Sequence, residues 1–440
     1  MKNKLPKYDN YKPSNVEWLG EIPQHWEVIP LNGFTKLVSK TGKPQYQLLS
    51  VYLEKGVIRF SDVSDKRTNA TSEDLTKYQI VEEGNLVLNN QQAWRGSVGV
   101  SKFTGIVSPA YLVLEFSKLV DSVFVNYLFR DTSVINYYVI FSRGVGTIQR
   151  NLYWQHLKNV KIWLPPLSEQ EKIAQFLDEK TTKIDQAIEI KQRQIELLKE
   201  RRQILIHRAV TRGVGSLSGV ETPLKDSGVE WIGEIPEHWE VKRLRYIGKC
   251  QNGVSKGAEY FGTGFPFVSY GDVYKSIELA ESVNGLAESS IEDRKQYSVK
   301  EGDVFFTRTS ETVEEIGFAS TCLKTIEDAT FAGFLIRFRP SKDILYKGFS
   351  KFYFSSKTHR AFFVKEMNLV IRASLSQELL NRMPIIIPPF EEQIAIAEYL
   401  ENISAKISKA IGLKEREIEV LKEYKSSLIN SALTGKVKIG

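Results

Sequence analysis

The chain has 440 residues, 42% of them hydrophobic and 26% charged, the composition of an ordinary globular protein with length for about two to four domains. The only cysteines, Cys250 and Cys322, stand in separated segments, which excludes a disulfide framework and suits a reducing cytoplasm. Residues 1–12 lack an apolar core and no run approaches the roughly 18 apolar residues of a membrane span, so neither a signal peptide nor a membrane protein is expected; the net charge of +7 and pI near 9.0 are a mild basic excess compatible with nucleic acid.

In chain order, a repeat appears at once. Val16-Glu17-Trp18-Leu19-Gly20-Glu21-Ile22-Pro23-Gln24-His25-Trp26-Glu27-Val28 returns as Val229-Glu230-Trp231-Ile232-Gly233-Glu234-Ile235-Pro236-Glu237-His238-Trp239-Glu240-Val241. Gly and Pro at fixed offsets mark turns, and the paired tryptophans read as anchors for this leading segment. His25 and His238 have no second His, Cys or carboxylate cluster at ligand spacing, so a packed or capping role is expected of them.

Each leading segment opens a strand-rich region. Strands are expected over 46–51, 57–60, 86–89, 97–100 and 110–116 in the first half, and over 267–269, 304–307, 316–319 and 334–338 in the second. Helical stretches follow around 121–139 and 343–365. A Gly- or Arg-containing turn with a short helix then falls at 144–152 and 370–375, and a strand at 161–164 or 384–387 closes each half.

The closing strands lead into a second repeat. Leu164-Pro165-Pro166-Leu167-Ser168-Glu169-Gln170 and Ile387-Pro388-Pro389-Phe390-Glu391-Glu392-Gln393 open two stretches that align without a gap at an offset of 223 residues. Ile173, Leu177, Ile184, Ile188, Ile195, Leu198, Leu205 and Ala209 fall on one helical stripe. Ile396, Leu400, Ile407, Ile411, Ile418, Leu421, Leu428 and Ala432 repeat it. Steps of 3 and 4 residues make a narrow apolar seam of coiled-coil type, and paired 4-residue steps before Ile188 and Ile411 shift its phase. Lys191 with Lys414, and Arg202 with Lys425, interrupt the seam at matched positions; their long stems can lie along it while the charged ends reach water. A helix of about 40 residues is roughly 60 Å long, and alone it would expose its stripe, so the two helices are expected to pack on each other as a spacer.

The expected plan is α+β: two mixed strand-rich domains separated by two long antiparallel coiled-coil helices, with a pseudo-twofold internal repeat. The boundaries read 1–160 for the first domain, 161–215 for the first spacer helix, 216–382 for the second domain and 383–440 for the second spacer helix. Residues 86–100 align with 304–318 in framework, yet Asn89-Asn90-Gln91-Gln92-Ala93-Trp94-Arg95 faces Thr307-Arg308-Thr309-Ser310-Glu311-Thr312-Val313. Like frames around unlike polar loops suggest one mounting presenting two specificities.

The Val-Glu-Trp-(Leu/Ile)-Gly-Glu-Ile-Pro-x-His-Trp-Glu-Val segment and the Pro-Pro-x-x-Glu-Gln start of each long helix resemble the specificity subunit of type I restriction–modification enzymes, over nearly the whole chain. That resemblance implies two target-recognition domains, each reading one half of a split site in double-stranded DNA, and an antiparallel coiled coil that sets the gap. It also implies docking of two methyltransferase (modification) subunits, restriction/translocase subunits recruited through them, and a cytoplasmic location. Catalysis would lie outside this chain, with S-adenosylmethionine, ATP and Mg on the partner subunits. At roughly 3.4 Å per base pair, a bar of roughly 60 Å limits the half-sites to about 15 to 18 base pairs apart.

Base readout calls for Arg toward guanine and Asn or Gln toward adenine, while phosphates call for Lys, Arg and short hydroxyls. The candidates in the first half are Asn90, Gln91, Gln92 and Arg95, with Lys40, Thr41 and Lys43 near phosphates and Trp94 either wedging or packing. In the second half they are Thr307, Arg308 and Thr309, with Lys256, Tyr260 and Tyr270 around the preceding Gly-rich loop. Arg150 and Arg372 lie near the closing turns, within reach of the backbone. Enzymatic motifs fare poorly. Ile387-Pro388-Pro389-Phe390 imitates an amino-methyltransferase motif, but the Ile387 side chain cannot accept a hydrogen bond and the other copy has Leu164. Glu189-Ile190-Lys191 has nuclease-like spacing but sits on the long helix, and residues 253–257 lack the Gly-Lys-Ser/Thr ending of a phosphate loop. The alternatives are a self-contained DNA methyltransferase and a coiled-coil protein adaptor.

Overall fold

A computed structural model of the chain describes residues 5–53, 55–63, 74–145, 149–217, 219, 222–310, 316–366 and 373–439. It is a mixed α/β protein of two compact units, one made of Met1–Lys191 with Arg416–Gly440 and the other of Gln192–Glu415.

The first unit is organised by a four-stranded antiparallel sheet, in the order Thr35–Val38, Leu112–Phe116, Leu86–Leu88, Val98–Val100. Side chains alternate across a strand, and both faces are covered. Leu86, Leu88 and Leu114 point into a core with the helices Ser122–Arg130 and Thr132–Phe141, while Val87 and Val113 point into a smaller core with Leu49, Val51, Val57, Val81 and Val107. The expected helix over 121–139 is two helices. Asp131 ends the first, and its carboxylate accepts from Ser133 N at 2.9 Å to cap the second. The expected turn at 144–152 belongs to a strand pair, Ser142–Val145 with Gln149–Leu152, and the short helix follows at Trp154–Leu157.

The second unit repeats the frame with Gly248–Asn252, Leu335–Pro340, Val304–Thr307 and Ala319–Thr321. The strand expected at 316–319 therefore begins only at Ala319. Val304, Phe306, Ile336 and Phe338 enter one core, and Phe305 and Leu335 another. The expected helix over 343–365 again breaks in two, Lys347–Ser355 and Lys357–Glu366. Of the turn expected at 370–375, residues 370–372 lie outside the described residues; the short helix is Gln377–Arg382.

In each unit the leading segment and the closing strand are partners: Glu27–Pro30 pairs with Lys161–Leu164, and Glu240–Arg243 with Pro384–Ile387. The long helices run Leu167–Arg212 and Phe390–Leu433. Ile173, Leu177, Ile184, Ile195, Ile396, Leu400, Ile407, Ile418 and Leu428 are buried; Ile188, Leu198, Leu205, Ile411 and Leu421 are half-buried. Three of the four seam cations keep partial access to water and meet partners on the other helix. Lys191 Nζ donates to Glu417 at 2.5 Å, Lys425 Nζ to Asp185 at 2.6 Å, and Arg202 Nη1 reaches Ser408 Oγ at 3.5 Å.

The first unit includes the last part of the second long helix and the segment after it. Trp163 Nε1 donates to Leu433 O at 2.7 Å, Tyr11 Oη to Gly435 O at 3.1 Å, and Lys438 N to Pro6 O at 2.8 Å. Ala432, Leu433 and Ile439 belong to the same core as Trp26 and Ile173.

Candidate nucleic-acid interface

Val38 lies opposite Val113 and Leu88 opposite Leu112, so the loops that leave at 38 and at 88 emerge from one end of the first sheet. That register brings Lys40, Thr41 and Lys43 to the same edge as the 89–95 loop, and all three are exposed. Lys40 Nζ also pairs with Glu82 Oε1 at 3.0 Å, both side chains staying open to water.

The 89–95 loop is built locally. Asn89 Oδ1 accepts from Gln91 N at 3.1 Å, a short 3-10 turn spans Ala93–Arg95, and Gly96 ends it at φ +98°, a left-handed conformation that favours glycine. Gln91 and Arg95 are exposed, while Asn90, Gln92 and Trp94 are half-buried. Leu152 N donates to Asn90 O at 2.9 Å, which carries Arg150 to the loop from a distant part of the chain. Arg95 Cζ lies 4.7 Å and Arg150 Cζ 5.3 Å from the Trp94 ring centre, and Trp94 Nε1 donates to Gln91 O at 3.0 Å. Trp94 is thus a platform for two guanidinium groups. The Asn90 side-chain oxygen is shielded from solvent and has no hydrogen-bond partner among the described residues.

The second unit carries a cleft at the corresponding end. Asn252 lies opposite Ile336 and Thr307 opposite Leu335. The loops beyond them meet the tight turn 332–335 around a cleft of about 730 Å³, whose walls include Lys256, Tyr270, Arg308, Thr309 and Phe334. Tyr260 stands beside it, with its hydroxyl donating to Asp293 Oδ2 at 3.1 Å and Lys256 Nζ 5.8 Å from its ring centre. Burial, reinforced by the Asp293 carboxylate, pushes the Tyr260 phenol up to about 12, so it stays a neutral donor. Thr307 is a correction: it is fully buried and its Oγ1 accepts from Phe318 N at 2.9 Å, so it ties the sheet together and does not face the cleft. Arg372 lies outside the described residues.

Sequence reasoning missed what joins the two repeated motifs. His25 Nε2 lies 2.7 Å from Glu169 Oε2 and Trp26 Nε1 donates to Glu169 Oε1 at 3.2 Å; the second unit repeats this with His238, Trp239 and Glu392 at 2.6 and 3.0 Å. The glutamine that follows is a buried clamp. Gln170 Nε2 donates to Leu119 O and Pro165 O while its Oε1 accepts from Asp121 N, and Gln393 does the same with Ile344 O, Pro388 O and Tyr346 N. The signal was present, since His-Trp and Glu-Gln recur together in both halves. Among the described residues, no three His, Cys, Asp or Glu side chains are grouped to hold a metal ion, and no helix is long and apolar enough to cross a membrane.

Two like frames with unlike polar loops at one sheet end, each braced on a long helix, define a protein with two recognition domains. The chain belongs to the type I restriction modification DNA specificity domain family, whose model matches residues 23–200 and 236–420, and it is a specificity subunit of such a system. It is similar to the MjaVIII specificity subunit of Methanocaldococcus jannaschii, at 26% identity over 98% of this chain and 97% of that one. It is also similar to the EcoKI specificity subunit of Escherichia coli K12, at 22% identity over 88% and 83%. Two solved structures share the fold at 15% identity, each covering 94% of this chain and 98% of the other. One comes from work on complex assembly and conformational transition of the type I restriction–modification system, with a TM-score of 0.70; the other is the HsdS subunit of Thermoanaerobacter tengcongensis, at 0.54.

Proposed function

We propose that each unit reads one half of a split, asymmetric DNA site and that the long helices form an antiparallel coiled coil setting the gap, in a pseudo-twofold repeat. The observation that carries this reading is the pair of tryptophan clamps. Trp26 binds Glu169 at the start of the first long helix and packs against Gly435 just beyond the second. Trp239 binds Glu392 at the start of the second and packs against Gly213 just beyond the first. The order of the ion pairs adds support, because residues 185 and 191 on one helix meet 425 and 417 on the other. The unlike loops 89–95 and 307–310 favour unlike half-sites.

Docking of two methyltransferase subunits, with restriction subunits joining through them, is supported by a second apolar stripe on the long helices. Ile190, Leu197 and Ile204 recur every seventh residue on the first and are each more than half exposed; Leu413 and Val420 repeat the first two positions on the second. In this reading the chain is cytoplasmic and non-catalytic, and S-adenosylmethionine, ATP and Mg bind the partner subunits. The self-contained methyltransferase and the protein adaptor are disfavoured by membership of a DNA specificity family.

Mapping methylation in the host genome tests the proposal. An asymmetric motif in two parts is expected, and a continuous or palindromic one would overturn it. Adding two helical turns to both long helices should then widen the gap by on the order of 3 base pairs while leaving both half-sites unchanged.

A further inference from the structure

In the second unit, the turn 332–335 carries an aromatic ring where a recognition loop would be expected to be polar. Phe334 is 65% exposed, one of the two most exposed large apolar side chains in the described chain. The turn beneath it is anchored on every side. Leu335 N donates to Ala332 O at 3.0 Å, Ala332 N to Val268 O at 3.0 Å, Gly333 N to Val254 O at 2.8 Å, and Arg308 N to Phe334 O at 2.9 Å. Gly333 is required for this seating, since a Cβ there would come within 2.9 Å of Val254 O. The ring is therefore presented to solvent by a rigid backbone, at the lip of the cleft and beside two cations, Arg308 and Lys256.

We infer that Phe334 is a stacking residue of the second unit, entering the base stack of duplex DNA at a step next to the contact made by Arg308. The inference rests on the reading of this cleft as a DNA-binding surface and names what the cleft does there. An exposed Phe that leaves water for a base face gains apolar burial and stacking, and flanking cations offset the phosphates drawn close by an opened step. The occupant follows from the charge: an apolar wedge flanked by cations suits the polyanion that carries stacked rings. Among the described residues, the first unit carries no aromatic ring at the equivalent position. By strand register the position of Phe334 corresponds to Ala110, so only the second half-site would be opened.

The test uses the full chain assembled with its methyltransferase subunits and a duplex bearing the mapped site, with 2-aminopurine placed at each position of both half-sites in turn. Beyond the target base that the methyltransferase subunits flip in each half-site, the expected result is raised fluorescence at one further step of the second half-site and at none in the first. Phe334→Ala should abolish that signal and weaken cognate binding on the order of tenfold, while Phe334→Trp retains both. Phe334 is exposed, so an unchanged melting temperature is expected for either variant. A wild-type scan that shows only the flipped target bases overturns the inference. So does a Phe334→Ala complex that binds as tightly as wild type, and Arg308→Ala then separates the two levels. If Arg308→Ala still weakens binding, the cleft contacts DNA without stacking; if it also binds normally, the reading of the cleft fails as well.

Discussion

Trp26 and Glu169, 143 residues apart in sequence, meet through an indole hydrogen bond of 3.2 Å that fastens the leading segment to the first long helix. Trp26 is fully buried and the Glu169 side chain only 16% exposed, so few water molecules can replace the lost partner. Glu169→Ala should cost about 1–3 kcal/mol by leaving a buried donor unsatisfied, and Glu169→Gln clearly less. Glu392 makes the matching bond to Trp239 but is 42% exposed, so Glu392→Ala should cost less than Glu169→Ala. Denaturant unfolding of the three variants checks the order.

Gly435 has φ +70°, and a Cβ there would lie 2.3 Å from Pro23 Cδ. Gly213, its counterpart, has φ +76° but a nearest contact of 3.3 Å, on the Trp239 ring. Left-handed strain alone costs about 1 kcal/mol, and the clash adds to it only at 435. Gly435→Ala should therefore lower the melting temperature more than Gly213→Ala does in the same scan.

Lys351, with its side chain 9% exposed, bridges Glu278 at 2.7 Å and Glu401. Burial works against its charge, but the two carboxylates outweigh it and hold its pKa above the ordinary lysine value. Because the folded-state pKa is the raised one, the bridge's contribution is whole below the unfolded value near 10.5 and is lost as pH rises through the folded value. Stability measured across the alkaline range should fall more steeply for wild type than for Lys351→Met.

In the first unit, Arg150→Ala should weaken DNA binding about equally across sequences if its guanidinium meets a phosphate, and flatten the log–log salt dependence by about 0.9. Trp94→Ala removes the platform under both Arg95 and Arg150, so it should also relax preference at the first half-site while leaving the second intact. Methylation of duplexes altered in one half-site at a time separates these outcomes.

The frame of both units was legible because its physics is local. Short runs of apolar, strand-forming residues placed strands at 86–89 and 304–307, observed at Leu86–Leu88 and Val304–Thr307, and the Pro-Pro starts and apolar stripes placed both long helices. Thr35–Val38 and Gly248–Asn252 escaped because they are outer strands with polar and half-exposed side chains, which carry no alternation signal. Asp131 hides its break inside an apolar run, since a cap is recognised by the geometry it makes. In the recognition loops the residue types were readable but their partners were not. Lys40 pairs with Glu82, Thr307 with Phe318, and Arg150 is delivered to Trp94 by a strand pair remote in sequence.

The first unit's core contains Ala432, Leu433 and Ile439, and Lys438 is bonded back to Pro6. During synthesis, then, the half of the protein made earliest lacks part of its own interior until residues near 440 have left the ribosome. The second unit, drawn wholly from residues 192–415, has all its pieces sooner. Birth order and order of completion are inverted, and a chain truncated before residue 432 would strand its N-terminal reader half-built while its later one closes.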